Sequence, residues 1–226
     1  MDCLIGIDIG STGAKSAMFS ADGALLDIEF RPYPIDYPEA NRAEQDPNLW
    51  WNALAGTVRA IVERKPRGND IVAMCLSTQG GCLLLVDQDF RPLCNAVHWL
   101  DKRAGEVSGL LAEKVGAEEL YRTCGWSVMD GLNFPAAFWF REKRPELFEK
   151  ARYFCSTVDY LNYRLTGVFS IDYTNLAMTQ FLDLDARDWS DKNLHLAGIT
   201  RAHVPEIIPS GAVISKLSPR AAEELG

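Results

Sequence analysis

The sequence predicts an α/β domain, on two observations. Its first thirty residues read as paired strands, and the segments that follow alternate apolar strands with stretches of helical period. Leu4 to Asp8 is a short apolar strand running into Gly10-Ser11-Thr12-Gly13. Lys15 to Ser20 reads as a second strand and Ala24 to Phe30 as a third, joined by Ala21-Asp22-Gly23. Asp-Gly between two apolar runs is a strong hairpin signal, because glycine accepts the positive φ of such turns. Residues 31 to 45, rich in Pro, Tyr and charge, read as a loop. Asp46-Pro47 then opens a helix, with Asp as cap and Pro in the first turn. Trp50, Trp51, Leu54, Val58, Ile61 and Val62 recur at helical spacing until Pro66.

Ile71 to Leu76 and Cys82 to Val86 read as strands flanking Ser77-Thr78-Gln79-Gly80-Gly81. Helices are expected over Asp101 to Val115, Ala117 to Arg122, Phe134 to Lys143 with Pro135 in its first turn, and Val158 to Leu165 with Gly167 as its stop. Beyond Asp183 the pattern loosens, with a last helical piece near Pro219 to Leu225. No internal repeat or linker is visible, so the chain reads as one domain.

At 226 residues, with 47% hydrophobic and 24% charged residues, the chain has ordinary globular composition and can bury a sizeable core. A net charge of −8 argues against a nucleic-acid surface, since phosphate backbones demand a basic face. The six cysteines form no CxxC pair and several sit in apolar runs, which predicts free buried thiols in a reducing compartment. No run approaches the ~20 apolar residues of a membrane span, and no basic-then-apolar leader opens the chain, so a soluble cytoplasmic protein is expected. His98, His195 and His203 show no metal-ligand spacing and read as ordinary surface or loop residues.

The first stretch with chemistry is Asp8-Ile9-Gly10-Ser11-Thr12-Gly13-Ala14-Lys15. A carboxylate at a strand end can hold the water shell of Mg²⁺, and a Gly-Ser-Thr turn presents N–H groups and hydroxyls to phosphate oxygens. Lys15 adds a positive charge nearby. The same residues also suit a plain hairpin turn with an Asx cap. They lack the glycine spacing of a P-loop or a dinucleotide fingerprint. Trp99, Asp101 and Arg103 offer an apolar plate with hydrogen-bonding partners, a set that suits a polyol. Alternatively, Asp101 caps the following helix while Arg103 pairs with Glu106.

Asp-x-Gly-Ser-Thr between two antiparallel strands resembles the first phosphate loop of the actin and sugar-kinase superfamily. The resemblance to FGGY carbohydrate kinases, xylulose kinase-like members in particular, then runs along nearly the whole chain. Glu44-Gln45-Asp46-Pro47 with Trp50-Trp51, Trp99-Leu100-Asp101-Lys102-Arg103, Asp159-Tyr160-Leu161 with Arg164-Leu165-Thr166-Gly167, and Asp188-Trp189-Ser190 stand in the order of that family's landmarks. The resemblance implies an RNase H-like fold, a mixed sheet flanked by helices, as the N-terminal sugar-binding domain of such a kinase over residues 1–226. It implies transfer of the γ-phosphoryl group of ATP to a sugar or polyol hydroxyl. Asp8 would hold Mg²⁺ through water, and Gly10, Ser11, Thr12 and Lys15 would face the phosphates. Gln79, Gly80, Gly81, Trp99, Asp101 and Arg103 would line the sugar side. The Trp50-Trp51 helix and the Asp159 segment read as architecture.

The sequence departs from that family at two places. Gly80-Gly81 stands where xylulose kinases carry Met-His, which removes an imidazole and leaves room for a bulkier or differently oriented sugar. Ala136-Ala137 stands where many relatives place a lysine. The resemblance also implies that the general base and the ATP-binding lobe follow Gly226, so the chain by itself is expected to be inactive. Robust turnover by these 226 residues would overturn that expectation. A non-catalytic sugar-binding or regulatory module is the alternative from a different class. The oligomeric state is left open, with a homodimer compatible.

Overall fold

Three strands at the start of the chain, β1 (Asp2–Ile9), β2 (Gly13–Ser20) and β3 (Leu25–Pro32), form the antiparallel meander that the opening residues predict. They are seen in a computed structural model that describes residues 1–226. A two-residue strand, β4 (Glu44–Gln45), precedes helix α1 (Pro47–Arg64). Asp46 caps α1 by accepting the Asn48 N–H, and Pro47 occupies its first turn. Strand β5 (Asp70–Thr78) then returns parallel to β1, giving a mixed sheet of order β3-β2-β1-β5. The odd-numbered side chains of β1 (Ile5, Ile7, Ile9) face α1 and pack with Trp50, Leu54, Val58 and Ile61. Both indoles of the Trp50-Trp51 pair are buried, as architecture requires. The other face of the sheet is open: Leu4, Ile28, Phe30 and Cys75 lie exposed on it.

Beyond the sheet come β6 (Leu84–Val86), β7 (Ala96–Val97) paired with β4, and helices α2 (Gly105–Val115), α3 (Ala117–Cys124), α4 (Asn133–Lys143) and the short α5 (Pro145–Phe148). Strand β8 (Tyr153–Cys155) pairs with β6, and α6 (Thr157–Thr166) ends at Gly167, whose φ of 81° only glycine adopts without strain. After α6 come β9 (Ser170–Asp172), α7 (Tyr173–Met178), β10 (Leu182–Asp183), β11 (Asp188–Trp189) and α8 (Asp191–Ala197). Strand β12 (Glu206–Ile208) and helix α9 (Pro219–Leu225) complete the chain. A second core gathers around α4, where Phe134 and Phe138 meet Leu111, Leu120, Phe181 and Leu194.

Three expectations need correction. The helix expected from Asp101 begins at Gly105, because Asp101 is held by an ion pair rather than acting as a cap. The strand expected from Cys82 begins at Leu84. The stretch after Asp183 is more regular than its composition suggests: Ser190 caps α8 through the Asn193 N–H, and Arg201 binds Asp188, Asp191 and the Trp189 carbonyl. All six cysteines are free thiols, but Cys75 is exposed. No helix is long and apolar enough to cross a membrane.

Asp159 carries a pH dependence. Its Oδ1 accepts the Ser156 N–H at 2.7 Å in the capping box of α6, while its Oδ2 is buried with no partner. Burial pushes this carboxyl well above the usual carboxylate range. A raised carboxyl favours the fold below its unfolded pKa, and that contribution is lost as pH rises from there through the folded value. Asp159→Asn keeps the Oδ1 acceptor without the ionisation. It should therefore be more stable than the parent at pH 7, since the unfolded parent releases a proton that the folded one holds more tightly. Urea melts at pH 7 and pH 4 check this: the advantage should shrink at the lower pH, and a variant less stable at pH 7 contradicts it.

Candidate functional site

The turn between β1 and β2 brings the first candidate residues together. Gly10 N–H donates to the Gly13 carbonyl at 3.0 Å, leaving Ser11 and Thr12 at the tip with no protein acceptor for their main-chain N–H groups. Gly13 is required by close approach: a Cβ there would stand 2.6 Å from the Phe30 ring and 2.7 Å from the Arg31 carbonyl. The antiparallel register sets Asp8 directly opposite Lys15, and the parallel register sets Asp8 beside Ser77. Asp8 and Lys15 are both exposed on the open side of the sheet. A carboxylate and an ammonium thus share one sheet face next to two unpaired N–H donors, a concave arrangement suited to phosphate oxygens. Mg²⁺ is commonly held by one or two carboxylates together with substrate phosphates and water, so a single Asp8 fits that ion.

From this loop a chain of hydrogen bonds runs to the second group. Tyr33 and Gln45 secure the loop from behind: Tyr33 Oη donates to the Gly10 carbonyl at 2.5 Å, and Gln45 Nε2 to the Ser11 carbonyl at 2.8 Å. Gln45, fully buried, also accepts through Oε1 from Trp50 Nε1 at 3.0 Å and from Gln79 Nε2 at 2.7 Å. Gln79 Oε1 in turn meets His98 Nε2 at 3.1 Å. The other ring nitrogen of His98 accepts the Leu100 N–H at 3.2 Å, which fixes the neutral Nε2–H tautomer. Burial lowers the His98 pKa to about 4, against the opposing influence of Asp101. His98 lies in the loop after β7, one of the two placements expected, but it is buried there against Gln79 rather than at the surface. His195 and His203 lie outside this site.

Trp99 closes the circuit. Its Nε1 donates to Ser11 Oγ at 3.0 Å while 45% of the residue stays exposed, so the indole leans on the β1–β2 turn and offers the rest of its surface to solvent. Asp101 and Arg103, two residues and four residues on, are buried behind it. Asp101 accepts from the Ala43 N–H at 2.7 Å and from Arg103 at 2.8 to 2.9 Å, and Arg103 reaches Glu44 at 2.7 Å. Burial works against the guanidinium charge, but the bonds to Asp101 and Glu44 outweigh it and hold the Arg103 pKa above its usual value. Arg103 pairs with Glu44, not with Glu106, which accepts from Trp139 Nε1 instead.

The glycine pair is also placed differently from expectation. Gly81 has φ +68°, and a Cβ there would meet Leu132 at 2.7 Å and the Trp99 Cβ at 3.2 Å. At Gly80 a Cβ would lie 3.0 Å from Met178 Cγ. The space that a missing side chain leaves is already filled from α7 and from the turn before α4. Sequence reasoning missed Tyr33, Gln45, Leu132 and Met178, because each acts across a long separation; the one signal for Gln45 was its place in the Glu-Gln-Asp-Pro landmark. An open hollow lined by Arg187, Asp188, Trp189, Arg201 and Glu206 lies elsewhere, with Arg201 fully engaged by its neighbours.

The chain is 30% identical to the xylulose kinase of Bacillus subtilis (strain 168), over 100% of this chain and 45% of that protein. It is 26% identical to the gluconokinase of the same organism, over 99% and 43%. The chain thus spans less than half the length of these curated relatives. Among solved structures, ligand-bound xylulose kinase from Lactobacillus acidophilus superposes with a TM-score of 0.94 at 24% identity, over 100% of this chain and 46% of that one. Residues 3–226 match the family described as "FGGY family of carbohydrate kinases, N-terminal domain", and the chain belongs to that family.

Proposed function

We propose that this chain supplies the acceptor-binding wall and the phosphate loop of an ATP-dependent carbohydrate kinase acting on a sugar or polyol hydroxyl. The observation that carries the proposal is the 3.0 Å bond from Trp99 to Ser11, which joins a half-exposed indole to a loop with free N–H donors. An acceptor stacked on Trp99 lies next to any phosphate received by Gly10, Ser11 and Thr12, and proximity of this kind is the main source of rate in phosphoryl transfer. ATP with Mg²⁺ supplies the transferable group and neutralises its charge. Asp8 would hold the ion through water, and Lys15 would add a positive charge on the same face. Gly80 and Gly81 would meet the acceptor through their backbone. Gln79, Asp101 and Arg103 would act by holding Trp99 and the turn in place, since their polar atoms are engaged within the protein.

The test uses the 226-residue chain. Titration with a panel of ketopentoses, aldonates and small polyols should change tryptophan emission, and Trp99→Phe should abolish the response. Mg²⁺-ATP should shift the Ser11 and Thr12 amide resonances. A chain that responds to no member of the panel, or whose response survives Trp99→Phe, overturns the reading.

A further inference from the structure

The Gln79–Gly81 turn beside Trp99 carries no free polar side chain of its own. Gln79 gives its amide to Gln45 and its carbonyl to His98. Gly80 and Gly81 have none to give. The volume next to Gly80 belongs to Met178, whose Cγ, Cβ and Cε stand 3.0, 3.2 and 3.4 Å from the position a Gly80 Cβ would take. The volume next to Gly81 belongs to Leu132 and the Cβ of Trp99. Met178 is the last residue of α7 and only partly buried, so its side chain lies at the turn rather than in the deep core.

We propose that Met178 is a specificity-determining residue. It presents a thioether and hydrocarbon surface where a hydroxylated carbon would need a hydrogen-bonding partner, and so selects acceptors that turn a deoxygenated edge, a methyl or methylene carbon, towards the Gln79–Gly81 turn. This rests on the reading of Trp99 and the turn as the acceptor wall. A buried hydroxyl without a partner loses its hydration, whereas a methyl or methylene in the same place gains apolar contact. Thioether side chains adapt to such edges because they are unbranched and polarisable. Discrimination by an apolar pocket against a hydroxyl is modest, about a hundredfold at most.

The experiment measures dissociation constants of the chain for matched pairs: each ketopentose, hexose and polyol against its monodeoxy analogues, read by tryptophan emission. At least one deoxy compound should bind about five-fold or more tightly than its parent, within the range an apolar pocket can deliver. Met178→Gln should reverse that preference, and Met178→Leu, which keeps the hydrocarbon surface, should retain it. Equal affinities within every pair, or a preference that Met178→Gln leaves unchanged, overturn the proposal while leaving the acceptor wall standing. No binding by any sugar or polyol overturns both. Thermal melts establish that each variant is folded; if the glutamine variant is not, Met178→Ala, which removes the hydrocarbon surface and should erase the preference, decides the question, and a preference it leaves unchanged overturns the proposal.

Discussion

Arg103→Leu is expected to destabilise the chain by about 3–5 kcal/mol, because it strands two carboxylates that the guanidinium now satisfies. Asp101 is buried to 1% exposure, and its two oxygens take three bonds from Arg103 and one from the Ala43 N–H. The same guanidinium reaches Glu44 at 2.7 Å on strand β4. With the arginine gone, Asp101 keeps only main-chain donors and Glu44 loses its ion-pair partner. For a chain of this size each kcal/mol moves Tm by about 2–4 °C, so a fall of about 10 °C or more is expected by calorimetry. Arg103→Lys should recover only part of the loss, since an ammonium cannot fork onto two carboxylates. Removing one carboxylate as well, in Asp101→Asn/Arg103→Leu, should cost less than the sum of the single changes. An Arg103→Leu chain that melts within about 2 °C of the parent, less than one kcal/mol, would show that the buried pair contributes nothing.

The second large effect belongs to Gln45. Gln45→Leu preserves volume but removes the acceptor of two N–H groups and the donor to the Ser11 carbonyl. The Trp50 indole N–H is fully buried and has no other partner. An unsatisfied buried polar group costs about 1–3 kcal/mol, so about 3 kcal/mol in total, or roughly 6 to 12 °C in Tm, is expected. Adding Trp50→Phe to Gln45→Leu removes the stranded N–H and should narrow the gap. The same variant should also weaken acceptor binding, because Gln79, His98 and the loop lose their common anchor. A Gln45→Leu chain that melts with the parent and binds sugars equally would refute the hub.

Local signals were enough for the parts of the site built from neighbours in sequence. Asp8 to Lys15 spells its own turn, since Gly13 answers a clash with β3 and the residues around it alternate as strands do. Asp46-Pro47 likewise fixes the start of α1 from within one turn. Where the partner is remote, the sequence was silent. His98 looked like any loop histidine because Gln79, which holds its ring inside the fold, belongs to a different turn. Asp101 looked free to meet a sugar, or else to cap a helix, because Glu44, which completes its ion pair through Arg103, belongs to another strand. Gly80-Gly81 looked like open space because Met178, far along the chain on α7, fills it. Burial and ion pairing are properties of the assembled packing, and composition along the chain does not encode them locally.

The hydrogen-bond circuit joining Ser11, Gln45, Gln79 and Trp99 also sets an order of assembly. Its bonds close loops of 34 residues twice and of 88 residues once, between Ser11 and Trp99. Each closure carries an entropy cost that rises with the logarithm of loop length. Pairing of Gly13 with Pro32 in the meander shortens the loop from Ser11 to Gln45, but not those that end at Gln79 and Trp99. The meander and α1 can form from near neighbours, whereas the bonds to Gln79 and Trp99 must wait until the parallel pairing of β1 with β5 has brought them to the turn. The contacts that hold Gln79 and Trp99 in place are then a late-forming part of the fold. Gln79→Leu, which removes only bonds that wait for β5, should accordingly speed unfolding far more than it slows folding, a φ-value near zero.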